Sequence, residues 1–141
     1  MTNPARTRYL AETVATASPG QLLVMLYDRL VVDLTQAEEA LRASDHPTAS
    51  ERLMHAQDIV AELRGSLDVT AWDGAPGLAQ LYGFLFSQLI KANVRRDAGL
   101  VAECREVVEP LRDAWREAFV ATRTATMATA DPAVASFAGI G

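Results

Sequence analysis

The chain predicts an all-α protein: an antiparallel up-down-up-down four-helix bundle with an N-terminal cap arm and a flexible C-terminal tail. Three observations predict it. Apolar residues recur at steps of three and four over four separate stretches. Short segments rich in Gly, Pro, Ser and Asp punctuate those stretches. Half of the residues are hydrophobic but only 6% are aromatic, a composition that suits helices packed on helices. A chain of 141 residues can bury a proper core as one domain, and short connections favour antiparallel neighbours. The expected division is an arm over 1–17, a bundle over 18–123 and a tail over 124–141.

Each helix has its own signals. Ser18, Pro19 and Gln21 form a capping box that opens the first helix, in which the proline occupies a position whose N–H would go unpaired. That helix is predicted from Pro19 to Ala43, with Leu23, Leu26, Leu30, Leu34, Ala37 and Leu41 on one face and Asp33, Gln36, Glu38, Glu39 and Arg42 mostly elsewhere. Ser44-Asp45-His46-Pro47 breaks it. The second runs from Pro47 to Val69 along a seam of Ala49, Leu53, Ala56, Val60, Leu63 and Leu67, which suits shallow crossing angles. A loop over Thr70–Gly77 leads to the third, Gly77 to Arg95, with Leu78, Leu81, Tyr82, Leu85, Leu89 and Ala92 inward. Asp97 caps the fourth, whose stripe is Leu100, Cys104, Val107, Leu111, Trp115 and Phe119 and which fades near Thr122. Pro110 inside it predicts a kink or a split.

Composition excludes several functions. A net charge of −5 argues against a general nucleic-acid binder, and the adjacent pair Arg95-Arg96 is explained by a solvated helix end. A sole cysteine, Cys104, forms no intrachain disulfide and no thiolate cage. No apolar run is long enough to span a bilayer and no apolar core follows Arg6 and Arg8, so membrane insertion and a signal peptide are not expected; a cytoplasmic protein is. The two histidines suggest little chemistry. A di-metal carboxylate bundle needs paired Glu-x-x-His units, whereas Glu51 and His55 are four apart with no second pair. A phosphate-accepting His55 would be opposed by Asp58. No catalytic residue, metal or cofactor is therefore expected.

Two apolar features exceed what a bundle requires. Phe86, Ile90 and Val94 form a second line beside the stripe of the third helix, and Tyr9, Leu10 and Val14 give the arm an apolar character. Either they broaden the core, or they form a groove for an amphipathic client helix and a cap that lies in it. The candidate client-binding or cap residues are Tyr9, Leu10, Val14, Tyr27, Tyr82, Phe86, Ile90 and Val94.

The residues also carry a resemblance. Tyr9, Val14 and Thr16-Ala17-Ser18-Pro19, followed by the run from Leu22 to Asp28, resemble the opening of the flagellar export chaperone family, FliS. Ala56–Leu63 with Ser66-Leu67-Asp68 is similar to the family's second helix. Leu81-Tyr82 and Leu89–Asp97 are similar to its third helix and the entry to its fourth, and Leu111–Trp115 to its closing motif. The similarity covers about Tyr9 to Phe119. Departures from the pattern are Arg29 after Asp28, Gly83 in place of an aspartate, and the loosened loop Gly74–Gly77. The resemblance implies a non-enzymatic, cytoplasmic four-helix chaperone that binds the disordered C-terminal segment of flagellin, prevents premature polymerisation and keeps it competent for type III export. It implies a movable N-terminal cap, flagellar export-gate components as further partners, and a monomer or weak homodimer. A regulatory adaptor for another partner and a phosphotransfer domain are the alternatives.

Overall fold

The computed structural model describes residues 18–130, with side chains through 125. Its helices are α1 (Pro19–Arg42), α2 (His46–Ser66), α3 (Ala75–Arg95) and α4 (Ala98–Ala130), and there is no strand among the described residues. The protein is an all-α antiparallel bundle. Tyr9, Leu10, Val14 and the tail beyond Ala130 lie outside the described residues.

The helix starts follow the predicted caps. Ser18 Oγ accepts the Gln21 N–H at 3.2 Å, and its carbonyl takes the first helical bond from Leu22 at 2.9 Å. Asp45 Oδ1 accepts the Thr48 N–H at 3.3 Å, and Asp97 Oδ1 accepts that of Leu100 at 3.1 Å. Some ends differ from the pattern. α2 stops at Ser66, short of Val69, because Leu67 turns to extended backbone and Asp68 binds the Thr70 N–H at 2.9 Å and its hydroxyl at 2.6 Å. α3 begins at Ala75, earlier than Gly77, because Pro76 fits a first turn. There the Trp72 ring covers Gly74 so closely that a β-carbon would meet it at 1.9 Å, which only glycine avoids. α4 runs through Pro110 as one helix and continues past Thr122. Its Ala- and Thr-rich continuation holds no Gly or Pro before Pro132, and an established helix propagates through such residues.

The chain gathers into two compact units, and both α1 and α4 contribute to each. Met25–Leu111 forms one. Within it α2 packs along α3, and the pairs Ser50–Asn93 and Arg64–Gly83 run in opposite chain directions, so the two are antiparallel. Arg105 of α4 reaches Glu38 of α1 at 2.8 Å. The core holds Tyr27, Leu30, Leu34, Leu53, Val60, Leu63, Leu85, Leu89, Val101 and Val108, all almost inaccessible. Burying each such aliphatic contributes about 1.5–3 kcal/mol. In α4 the buried line is Val101, Cys104 and Val108, beside the predicted Leu100 and Val107. Burial pushes the Cys104 thiol up to about 11, so it stays protonated and inert.

The other unit comprises, among the described residues, 18–24 and 112–130. Phe119 approaches Gly20 so closely that a β-carbon would lie 3.2 Å from its ring. None of the described side chains of this unit is fully buried.

Candidate client-binding surface

The seam between α2 and α3 is the first candidate. Steps of three and four put Ser50, Met54, Gln57, Ala61 and Arg64 on the α3 side of α2, and Gly83, Phe86, Ile90 and Asn93 on the α2 side of α3. The Asn93 amide donates to Ser50 Oγ at 3.4 Å, which fixes one end of the pairing. Val60, Ala61, Arg64, Gly65 and Phe86 line a groove of about 430 Å³. Ile90 is 42% exposed, Met54 57% and Val94 79%. Ile90 and Val94 are therefore exposed, and Phe86 is half-buried beside them. They leave an apolar strip at the surface, and single exposed apolar residues would not be noteworthy but a row of them is.

Tyr27 and Tyr82 take a different place. They are 1% and 2% exposed, and their hydroxyls share a hydrogen bond of 2.6 Å within the core. Burial first, and the bond to Tyr27 second, raise the Tyr82 phenol well above its ordinary value. These two hold α1 to α3 beneath the surface and present little of themselves to a partner. Tyr9, Leu10 and Val14 lie outside the described residues.

The sequence reading missed the α2 contribution to the seam. Met54, Ala61 and Arg64 are off the core stripe, yet they follow its period, and that was the available signal.

The apolar pattern also misses Asp33, which its polarity argues outward but which is 0% exposed. Asp33 sits one turn after Leu30 and one before Ala37, so helical geometry carries it inward. His55 Nδ1 hydrogen-bonds Asp33 Oδ2, while Arg29 lies 3.2 Å and Arg52 3.6 Å from Oδ1. A buried carboxylate needs such partners. His55 thus has a carboxylate partner that its sequence neighbourhood does not reveal. Among the described residues no group of three or more His, Cys, Asp or Glu is arranged to hold a metal ion. No described helix is long and apolar enough to cross a membrane.

A larger cavity, about 730 Å³, belongs to the unit of 18–24 and 112–130. Leu23, Trp115, Ala118 and Phe119 supply its apolar wall, and Ser18, Gln21, Thr122 and Arg123 its polar rim.

A helix bundle bearing exposed apolar surface is compatible with many partners, and comparison with known proteins narrows the choice. The family profile described as flagellar protein FliS matches residues 1–122. The chain belongs to the FliS family. It is 32% identical over 117 residues to the flagellar secretion chaperone FliS of Bacillus subtilis (strain 168), covering 83% of this chain and 87% of that protein. The corresponding Vibrio cholerae protein is 31% identical over 103 residues, covering 72% and 76%, and that of Salmonella typhimurium is 31% identical over 106 residues, covering 74% and 78%. FliS proteins form a non-enzymatic chaperone family, and membership implies a flagellar protein as partner. The FliS match ends at residue 122, so the last turns of α4 and everything after them lie beyond it.

Proposed function

We propose that this chain is a cytoplasmic export chaperone for flagellin. It binds the disordered C-terminal segment of the subunit, blocks premature polymerisation and hands the subunit to the flagellar type III export apparatus. Family membership supports the reading, as does the name flagellar secretion chaperone borne by the relatives. The observation that carries it is the apolar strip in which Ile90 and Val94 stand exposed beside Met54 and the half-buried Phe86. An amphipathic segment that folds onto such a strip gains there the burial that filament neighbours later provide. Coupled folding of this kind buries on the order of 1,000–3,000 Å² and spends several kcal/mol on ordering, which keeps binding reversible.

No chemistry is required of the chaperone in this reading. Its work is to lower the concentration of free, assembly-competent flagellin, and to give that up when the export gate takes the subunit. In the free protein, as a monomer or weak homodimer, the arm through Tyr9, Leu10 and Val14 lies in the groove and competes with the client. Displacing it lowers client affinity by the free energy of its docking.

Ile90→Asp is the direct test. Placing a charge in the strip should weaken binding of a C-terminal flagellin fragment at least tenfold, about 1.4 kcal/mol, while circular dichroism stays native. If the variant unfolds, Ile90 is part of the core and the strip is not a binding surface. Deleting residues 1–16 tests the cap: the truncated chain should self-associate more and bind the fragment faster or more tightly. Weaker binding by a truncated monomer would make the arm part of the binding surface instead of a competitor.

A further inference from the structure

Arg64 stands in the last turn of α2, at one end of the α2–α3 seam. Its guanidinium lies over Gly83 of α3, where a β-carbon would sit 3.5 Å from Nη1 and 3.9 Å from Nη2. It borders the groove that Val60, Ala61 and Phe86 line. Arg29, Arg42, Arg52, Arg105 and Arg112 each hold a carboxylate, whereas Arg64 is in no ion pair among the described residues. It is also the only charged side chain in the two facing rows, Ser50-Met54-Gln57-Ala61-Arg64 and Gly83-Phe86-Ile90-Asn93. A cation in a last turn suits the dipole of its own helix. That accounts for the charge but not for its position over the glycine of a neighbouring helix.

We propose that Arg64 orients the client by holding an aspartate or glutamate of the amphipathic helix that occupies this seam. The proposal rests on the client-binding reading above and adds to it a polarity: the acidic residue lies at the Arg64 end, and the client's apolar side chains follow toward Phe86 and Ile90. A guanidinium presents a planar fork that matches a carboxylate bidentately. Apolar neighbours on both sides exclude water once the client is seated, so the pair is worth more than an exposed one and also rejects the reversed orientation. Gly83 matters because it contributes no side chain. An aspartate there would stand within reach of Arg64 and occupy it internally, and the β-carbon has ordinary van der Waals room.

The test uses the full chain and the C-terminal segment of the flagellin encoded in the same genome, with binding measured at low and high salt. Arg64→Ala and Gly83→Asp should each weaken binding about tenfold and flatten its salt dependence. Gly83→Asp should add little to Arg64→Ala, since both act on one group. Arg64→Glu should bind worst, and reversing a single acidic residue of the client to lysine should restore it. Equal affinity and equal salt dependence for Arg64→Ala would overturn the proposal, as would a client in which no single reversal rescues Arg64→Glu. Because Arg64 is exposed, its variants should keep native helical content and remain informative even if Gly83→Asp does not fold. Failure of the unaltered chain to bind the segment would remove the client reading and this proposal with it.

Discussion

The two compact units draw on the same two helices, α1 and α4, and use them differently. Between Ala98 and Leu111, α4 buries Val101, Cys104 and Val108 at 3% exposure or less. From Arg112 to Ala125 it buries nothing fully, although Trp115 and Phe119 keep the period. α1 shows the mirror pattern, with residues 18–24 at most half-buried and Tyr27, Leu30 and Leu34 enclosed. An amphipathic pattern in sequence therefore marks a face that can be covered, and packing decides whether it is. Stability should reside in Met25–Leu111, while the other unit offers apolar surface at little structural cost.

Paired core truncations are the harshest way to break this contrast. Leu34→Ala, at a site of 0% exposure, should cost about 2–5 kcal/mol through lost burial and an unfilled cavity. Phe119→Ala removes a larger side chain from the half-covered stretch and should cost no more than about 1 kcal/mol. Urea unfolding of both variants measures the difference. Equal losses would mean that the 112–125 stretch is as firmly packed as the bundle.

The buried acid of the bundle provides a second, somewhat smaller effect. Asp33 is fully enclosed, whereas Arg29 and His55 are nearly half exposed and Arg52 about a quarter. Removing the acid frees its partners to turn into water. Removing the partners strands a carboxylate. The combination Arg52→Met with His55→Leu should therefore cost about 2–4 kcal/mol, more than Asp33→Asn, because an unpaired buried charge is the dearer loss. The reverse order in thermal or urea unfolding would mean that Asp33 is stabilised chiefly by Arg29.

How much of this was legible in the sequence depends on whether the deciding physics is local. Caps at Ser18, Asp45 and Asp97 were, because each bond joins residues three apart. The seam of α2 and the stripe of α3 were, because their periods are uninterrupted. Asp33 was not, because polarity argued it outward while its helical phase carried it inward, and its partners lie on another helix. Tyr27 and Tyr82 were readable as a resemblance but not as a pair, since 55 positions separate them. The α2 side of the groove between α2 and α3 was half legible. Met54 and Ala61 keep the helical period, but only the antiparallel pairing with α3 shows that they face Phe86 and Ile90. The end of α2 was misjudged because an Asx turn at Asp68 competes with the helix, and composition alone does not rank the two.

The gentlest probe of the bundle is its acid limb. Glu38 of α1 is tied to Arg105 of α4, which also holds Glu109 at 3.0 Å. The hydrogen bond from Arg105, with a smaller one from Arg42, outweighs desolvation and lowers the Glu38 pKa below its ordinary value. Its proton is therefore bound less readily in the folded chain than in the unfolded one. The stabilisation is complete above the ordinary glutamate range and is lost as pH falls through the lowered value. Both side chains are partly solvated, so the contribution is of the size usual for a surface pair, about 0.2–1 kcal/mol. Replacing Arg105 with Met should lower stability at neutral pH by that amount and leave stability near pH 2 unchanged, which urea titrations across the acid range would measure. A variant that loses as much at low pH as at neutral pH would show that Arg105 acts through the packing of its aliphatic stem between α1 and α4, and not through the charge it shares with Glu38.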